Sequence, residues 1–192
     1  MRYVSISRAA ELLREGKVGL VPTETVVGLV AGETGLPRLF EIKGRDPGKP
    51  IALLCSSAKE AFALSSLSYN PPPLAHSLAD RYWPGPLTLV LGTESGATVG
   101  VRVPAHPIVQ AVLASYGEPL YATSANRSGE DAPHDLEEVD PEISNAVDFA
   151  VEGSPGSGEA SAVVDLSGTQ ARLLRTSKSL GERELFRLAN PE

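Results

Sequence analysis

The sequence predicts an α/β protein built on a partly parallel sheet, and three observations carry that reading. Short apolar runs of strand length are mixed with segments of helical spacing along the whole chain. Glycines and prolines punctuate these runs where the chain must turn. The apolar share of 42% is that of an ordinary globular domain. At 192 residues the chain is read as one domain over 1–192. That length buries about 70% of the unfolded surface without help from disulfides.

Taken in order, Ser7 is placed to cap a helix to about Glu15, with Ala9, Leu12 and Leu13 on one face and Gly16 as its stop. Val18-Gly19-Leu20-Val21 reads as a buried strand ended by Pro22. Leu36, Leu39, Phe40 and Lys43 follow helical spacing, with Pro37 in the first turn. Ile51 to Cys55 is a second strand, and Ser57 to Glu60 forms a capping box before Ala61, Phe62 and Leu64. Pro71-Pro72-Pro73 breaks the chain before a helix to about Tyr82. Trp83-Pro84-Gly85-Pro86 is a rigid turn, since two prolines and a glycine forbid regular structure. Leu87 to Leu91 and Val99 to Val103 are strands, Pro107 to Ser115 a helix, and Leu120 to Ala122 a strand. Asp135 to Glu138 starts a short helix. Val147 to Val151, Ala162 to Leu166 and Leu173 to Leu174 are further strands, and a helix from Ser179 to Leu188 closes the chain. Glu152 to Ser161, rich in glycine and serine, is expected to be a loop that is mobile when empty, because it carries little apolar anchoring.

Charge and cysteine content exclude several classes. The net charge is −7, which argues against a broad electrostatic grip on nucleic acid but leaves room for a local cationic pocket. The lone cysteine, Cys55, sits in an apolar run and reads as a buried thiol, so a reducing, cytoplasmic setting is expected. No apolar run has the length of a membrane span. Met1 to Arg14 carries charges within its apolar stretch, unlike a signal peptide. His76, His106 and His134 lack metal-ligand spacing, so no metal site built from side chains is expected.

Two segments place short polar side chains directly after apolar strands, where open α/β sheets gather ligands. They are Thr23-Glu24-Thr25 and Thr123-Ser124-Ala125-Asn126. Each taken alone also fits ordinary turn chemistry. Lys43 and Arg45 close the Leu36 helix, where cations favour the macrodipole. Lys49 adds a third cation to a loop stiffened by two prolines and hinged on Gly44 and Gly48, and that raises the case for anion binding. Arg102 alternates with Val101 and Val103 and so faces away from them, either to solvent or onto a cavity wall. Arg175 after Leu173-Leu174 has the same two readings, and Ser161 fits a strand start. Gly153 to Gly158 is neither a Walker loop nor a dinucleotide fingerprint. Glu24 is read as a base or as a structural anion, with the second favoured and Lys43 or Arg45 as its partner.

Set in order, these segments resemble the YrdC-like threonylcarbamoyl-AMP synthase family (TsaC), in its short single-domain form. The matching pieces are Pro22-Thr23-Glu24-Thr25 with Gly28-Leu29, Lys43-Gly44-Arg45, Lys49-Pro50, and Trp83-Pro84-Gly85-Pro86-Leu87-Thr88. Then come Val101-Arg102-Val103-Pro104 with His106-Pro107, Thr123-Ser124-Ala125-Asn126 with Ser128-Gly129, and Ser161 with Val163-Val164-Asp165. The resemblance runs through nearly the whole chain. It departs at Val27, where the family usually has Tyr or Phe, at Leu54, where some members have His, and at Asp46, which replaces Pro.

The resemblance implies a twisted mixed parallel and antiparallel sheet with flanking helices around a deep, concave, positively charged cavity. It implies condensation of L-threonine, bicarbonate and ATP to threonylcarbamoyl-AMP and pyrophosphate, with Mg²⁺ accompanying ATP. The product passes to a tRNA-modifying threonylcarbamoyl transferase complex acting at adenosine 37. Carried over residue by residue, Lys43, Arg45, Ser124 and Asn126 look like the catalytic tetrad. Arg45, Lys49, Ser124 and Arg175 look like ATP contacts, and Thr25, Arg102 and Ser161 like threonine contacts. Two other readings are weighed against it. One is a related carbamoyl-adenylate chemistry, known in much longer chains with zinc-finger cysteines. The other is an RNA- or nucleotide-binding paralogue without synthase activity, against which stand the acidic balance and few aromatics. Direct tRNA binding is expected to be weak or absent, and no membrane partner is expected.

Overall fold

The first turn already departs from the sequence reading. In the computed structural model, which describes residues 1–65, 71–93, 95–127, 129–178 and 180–189, helix α1 spans Ile6–Arg14 and its cap is Ser5, not Ser7. Ser5 holds an extended backbone and its hydroxyl accepts from the Arg8 N–H at 3.3 Å. Ser7 lies inside the first turn, where its side chain meets Ser5 instead. Strand β1 (Val18–Val21) follows, then β2 (Gly28–Ala31), which sequence reading did not mark as a strand. Helix α2 (Leu36–Lys43) has Pro37 in its first turn and ends on Gly44 in the left-handed region at φ 61°. A side chain there would be strained, and the reversal carries the chain off the helix toward Arg45.

Strand β3 covers Ala52–Leu54 and helix α3 covers Ala58–Leu64. Ser57 caps α3 as expected, but the Glu60 carboxylate reaches back to Ser56 rather than to the cap residue. Helix α4 (Pro73–Tyr82) leads into the proline-rich turn and then β4 (Leu87–Gly92) and β5 (Thr98–Arg102). Helix α5 (Pro107–Tyr116) is capped by His106, and β6 spans Leu120–Ser124. The expected helix at 135–138 is one 3-10 turn. A second helix that sequence reading missed, α6 (Pro141–Ala146), follows it with Asp140 as cap. Strands β7 (Phe149–Ala150), β8 (Ala162–Asp165) and β9 (Arg172–Arg175) precede α7 (Glu182–Ala189). Ser179, expected to open that last helix, and Ser128 of the Ser128-Gly129 pair lie outside the described residues.

Among the described residues nine strands form one sheet in the order β7-β1-β2-β6-β3-β5-β4-β8-β9. The pairs β1–β7, β3–β5 and β4–β8 are parallel, and the rest antiparallel, so the sheet is mixed with helices on both sides. Strand alternation sorts its residues. On one face, Leu53, Leu89, Val101 and Val164 pack against α3, α4 and α7, while Val18, Leu20 and Leu29 pack with Leu39 of α2 and Ile143 of α6. On the other face, α1 and α5 cover Val21, Val30, Leu54, Leu120 and Phe149. A methyl at Gly19 would sit 2.2 Å from the Phe149 ring, so the edge strand closes only with glycine there. Beyond Leu54 that second face loses its helical cover, and Gly100, Arg102, Thr88 and Val163 line a cavity instead. Full burial of one leucine contributes about 1.5–3 kcal/mol, so the three apolar clusters hold the sheet while this stretch stays open.

Candidate functional site

Position on the uncovered face decides what Arg102 does. It follows Val101, which points into the opposite core, so its side chain enters the cavity, where it is only 7% exposed. The reading of a surface arginine is therefore overturned. Nε donates to the Gly85 carbonyl at 3.2 Å, and Nη2 donates to Glu24 Oε1 at 2.6 Å and to Thr25 Oγ1 at 3.0 Å. Thr25 is 2% exposed and also meets Thr23 Oγ1 at 2.8 Å, while Thr23 donates to the Val26 carbonyl. Burial disfavours the Glu24 carboxylate, but the charge and hydrogen bond of Arg102 outweigh it and hold Glu24 below its ordinary value. Glu24 is paired with Arg102, not with Lys43 or Arg45 as expected. The Arg102 side chain reaches across the cavity to this turn, whereas Lys43 is spent on Ser124 and Asn126 and Arg45 bonds to the Pro50 carbonyl.

Across the cavity, Lys43 turns away from its own helix end. The residue is 3% exposed, and its ammonium donates to Ser124 O at 2.6 Å, Asn126 O at 2.5 Å and Asn126 Oδ1 at 2.6 Å. The Ser124 hydroxyl lies at 3.3 Å as a fourth, longer contact, so all three ammonium donors are used. Asn126 in turn donates through Nδ2 to the carbonyls of Arg127 and Glu130. The segment after β6 is thereby fixed from both sides. Burial and then the Arg45 charge push Lys43 down to about 8, with Glu130 pulling the other way.

Arg45 is half-buried, and one guanidinium nitrogen donates to the Pro50 carbonyl at 2.9 Å. Its Nε is buried and has no hydrogen-bond partner among the described residues. Arg175 donates from Nε to Ser161 O at 2.7 Å and from Nη2 to Ser161 Oγ at 3.1 Å. Ser161 is 3% exposed and shares a 2.9 Å bond with Thr88 Oγ1. Burial and then the nearby Arg102 lower Arg175 from its ordinary value.

These groups face one cavity of about 420 Å³. Its lining includes Thr25, Lys43, Arg45, Arg102, Ser124, Asn126, Ser161 and Arg175, and among the described lining residues no carboxylate occurs. Lys49 is exposed and lies outside that lining. Thr88 was quoted in the sequence only as part of a turn motif, yet β4 alternation places it and Val90 on the cavity face. The floor across β6, β3 and β5 is made of Ala122, Ala52 and Gly100, which leaves the sheet bare there. Leu54 lines the cavity, whereas Val27 is fully buried against Leu29 and Ala125 and does not reach it.

The 152–161 loop is tied down by its backbone rather than by apolar contacts. Gly156 N donates to His134 O, Ser157 N to Glu24 O at 3.0 Å and Gly158 N to Thr25 O at 2.8 Å. A methyl at Gly156 would lie 2.4 Å from the Thr25 carbonyl, so the close approach needs glycine. His106 is 5% exposed, accepts from Ile108 N through Nδ1 and places Nε2 3.1 Å from Ser154 O and Oγ. The expectation of a mobile loop weighed side chains and omitted these main-chain bonds. Cys55 is buried, and burial, then Glu60, pushes its thiol up to about 12. Among the described residues no His, Cys, Asp and Glu cluster could hold a metal, and no helix is long and apolar enough to cross a membrane.

The family described as "Telomere recombination" (Sua5, YciO and YrdC) matches residues 11–177. The threonylcarbamoyl-AMP synthase of Pyrococcus abyssi is 37% identical over 87% of this chain and 52% of its own length. That of Bacillus subtilis is 34% identical over 88% and 52%. The chain therefore spans about half the length of these curated relatives. The crystal structure of P. abyssi Sua5 complexed with L-threonine superposes with a TM-score of 0.79 at 36% identity, covering 88% of this chain and 53% of that one.

Proposed function

This chain belongs to the Sua5–YciO–YrdC family, and on that premise we propose that it is a threonylcarbamoyl-AMP synthase, a nucleotidyltransferase joining L-threonine, bicarbonate and ATP. The observation that carries the reading is the convergence of Lys43, Arg45, Arg102 and Arg175 on one cavity without a carboxylate in its described lining. Such a lining suits a ligand set in which a triphosphate, an amino-acid carboxylate and a carbamate meet. At an effective dielectric near 20, one ion pair at about 4 Å is worth about 4 kcal/mol before desolvation. Pre-placed cations of this kind offset the repulsion and stabilise charge as it develops.

The roles divide along the two walls. Arg102, with Thr25 and Ser161, holds the threonine carboxylate and hydroxyl. Arg45, Ser124 and Arg175 hold the phosphates, and the unpartnered Nε of Arg45 is the donor that a phosphate oxygen would satisfy. Lys43 and Asn126 keep the Ser124 segment in place. Threonine and bicarbonate first give the carbamate with loss of water. A carbamate oxygen then bonds to the α-phosphorus as the bond to pyrophosphate breaks. No side-chain nucleophile enters this sequence. Mg²⁺ would arrive with the triphosphate, because the described lining offers it no carboxylate ligand, and no step here runs through it. The adenylate is then handed to a tRNA-modifying transferase complex, with direct tRNA affinity weak given the acidic balance.

The test is pyrophosphate release from ATP by the purified protein. Release that requires both L-threonine and bicarbonate supports the synthase. Release that ignores either one, or none at all, rejects it.

A further inference from the structure

Glu24 has both carboxylate oxygens on donors of the protein itself. Oε1 accepts from Arg102 Nη2 at 2.6 Å and Oε2 from the His106 backbone N–H at 3.3 Å. The side chain is 20% exposed, and Glu24 is not among the residues lining the cavity. Arg102 is gripped on one edge only: Nε by the Gly85 carbonyl, Nη2 by Glu24 and Thr25. Among the described residues, Nη1 has no hydrogen-bond partner. A guanidinium is planar, so bonds at Nε and Nη2 fix the direction of Nη1 as well.

We propose that Glu24 is a positioning residue for amino-acid binding: it locks the Arg102 guanidinium so that Nη1 is presented to the substrate carboxylate, and it does not take a proton in the reaction. The proposal rests on the synthase reading and adds a role for Glu24 within it. A general base would need to reach the substrate, and Glu24 stands behind Arg102, outside the cavity lining. The same carboxylate gives the buried arginine a counter-charge, without which its burial is unfavourable. Its backbone carbonyl also accepts from Ser157 N, so the lock on Arg102 is continuous with the tied 152–161 loop.

The decisive variant is Glu24→Gln, which keeps the shape and removes the charge. Loss of one charge-assisted contact behind the binding arginine is expected to raise KM for L-threonine about tenfold while kcat stays within about threefold. The kcat–pH profile is expected not to move. A kcat lowered about a hundredfold or more at unchanged KM, with the acid limb of the profile gone, would identify a base instead and overturn the proposal. Glu24→Asp covers the case in which the glutamine variant does not fold. The shorter acid raises KM under the positioning role and lowers kcat under the base role. Calorimetric titration of L-threonine without ATP separates the two levels of inference. A native protein that neither binds threonine nor turns it over removes the synthase reading. A native protein that does, with a variant that binds threonine as tightly, removes only the role of Glu24.

Discussion

The two walls of the cavity bury a cation in opposite ways. On the β5 side, Arg102 meets a carboxylate, Glu24, at 2.6 Å. On the α2 side, Lys43 meets only neutral oxygens from Ser124 and Asn126. The paired wall is charge-balanced and its arginine keeps an edge in reserve. The unpaired wall spends all three ammonium donors on main-chain and amide oxygens, and desolvation drags the lysine down to about 8. One wall is thus built to present a donor. The other is built to hold a loop, and its positive charge is conditional on pH.

Removing Lys43 should break this contrast most severely. Lys43→Met would strand the buried oxygens of Ser124 and Asn126 that it now satisfies, and each buried polar group left without a partner costs about 1–3 kcal/mol. Urea denaturation is expected to show a loss of about 3 kcal/mol, together with a fall in pyrophosphate release of about a hundredfold or more. A variant with native stability would refute the fastening role. Arg45→Ala is expected to do the reverse. Arg45 gives the fold one bond to Pro50 O, so stability should change by less than about 1 kcal/mol. The KM for ATP should rise about tenfold, because a phosphate loses a charge-assisted donor. Equal ATP affinity in the variant would remove Arg45 from the phosphate side.

Much of this architecture was written in local sequence. Pro22, Gly44, the proline turn at 83–86 and the strand alternation around Arg102 each name their own geometry. β2 escaped because its start is set by the bonds of Thr23 to Val26, a reversal that carries no glycine or asparagine signal. α6 escaped because it buries a single residue, Ile143, so its apolar period is faint although Asp140 and Pro141 mark its start. The cap at Ser5 rather than Ser7 turns on backbone angles that two nearby serines do not distinguish. For the site, residue types pointed to an anion, but partners did not follow from them. The Arg102 side chain reaches the β1–β2 turn from a strand that is not its neighbour in the sheet, and no local rule assigns Glu24 to Arg102.

A rise in pH should pull stability and activity apart. Folded Lys43 titrates near 8 against 10.5 for the ordinary side chain. Between those values the unfolded chain binds a proton that the folded chain has released. The contribution of this group to stability therefore rises with pH across that window, by at most about 1.4 kcal/mol per unit. The benefit is absent below pH 8. Activity should move the other way, because a neutral amine loses a donor and its charge. About half of kcat is expected to be lost near pH 8 and about three-quarters by pH 8.5. Parallel urea midpoints and turnover from pH 7 to 9.5 check this, and a joint fall of both would show that another group governs the alkaline limb.

The smallest effect is predicted for Lys49. The family resemblance placed it with Arg45 as an ATP contact, and both sit in one stiff basic loop. In the fold Lys49 is exposed and outside the cavity lining, and its backbone N–H closes a turn onto Asp46 O at 2.9 Å. An exposed ammonium near an anion acts through screened charge, worth well under about 1 kcal/mol at physiological salt. Lys49→Ala should therefore raise the KM for ATP by less than about twofold, and that rise should vanish at high salt. A tenfold rise that persists in salt would mean that the 46–50 loop folds inward when ATP is bound. The α2 wall would then hold a second working cation beside Arg45, and its contrast with the β5 wall would narrow.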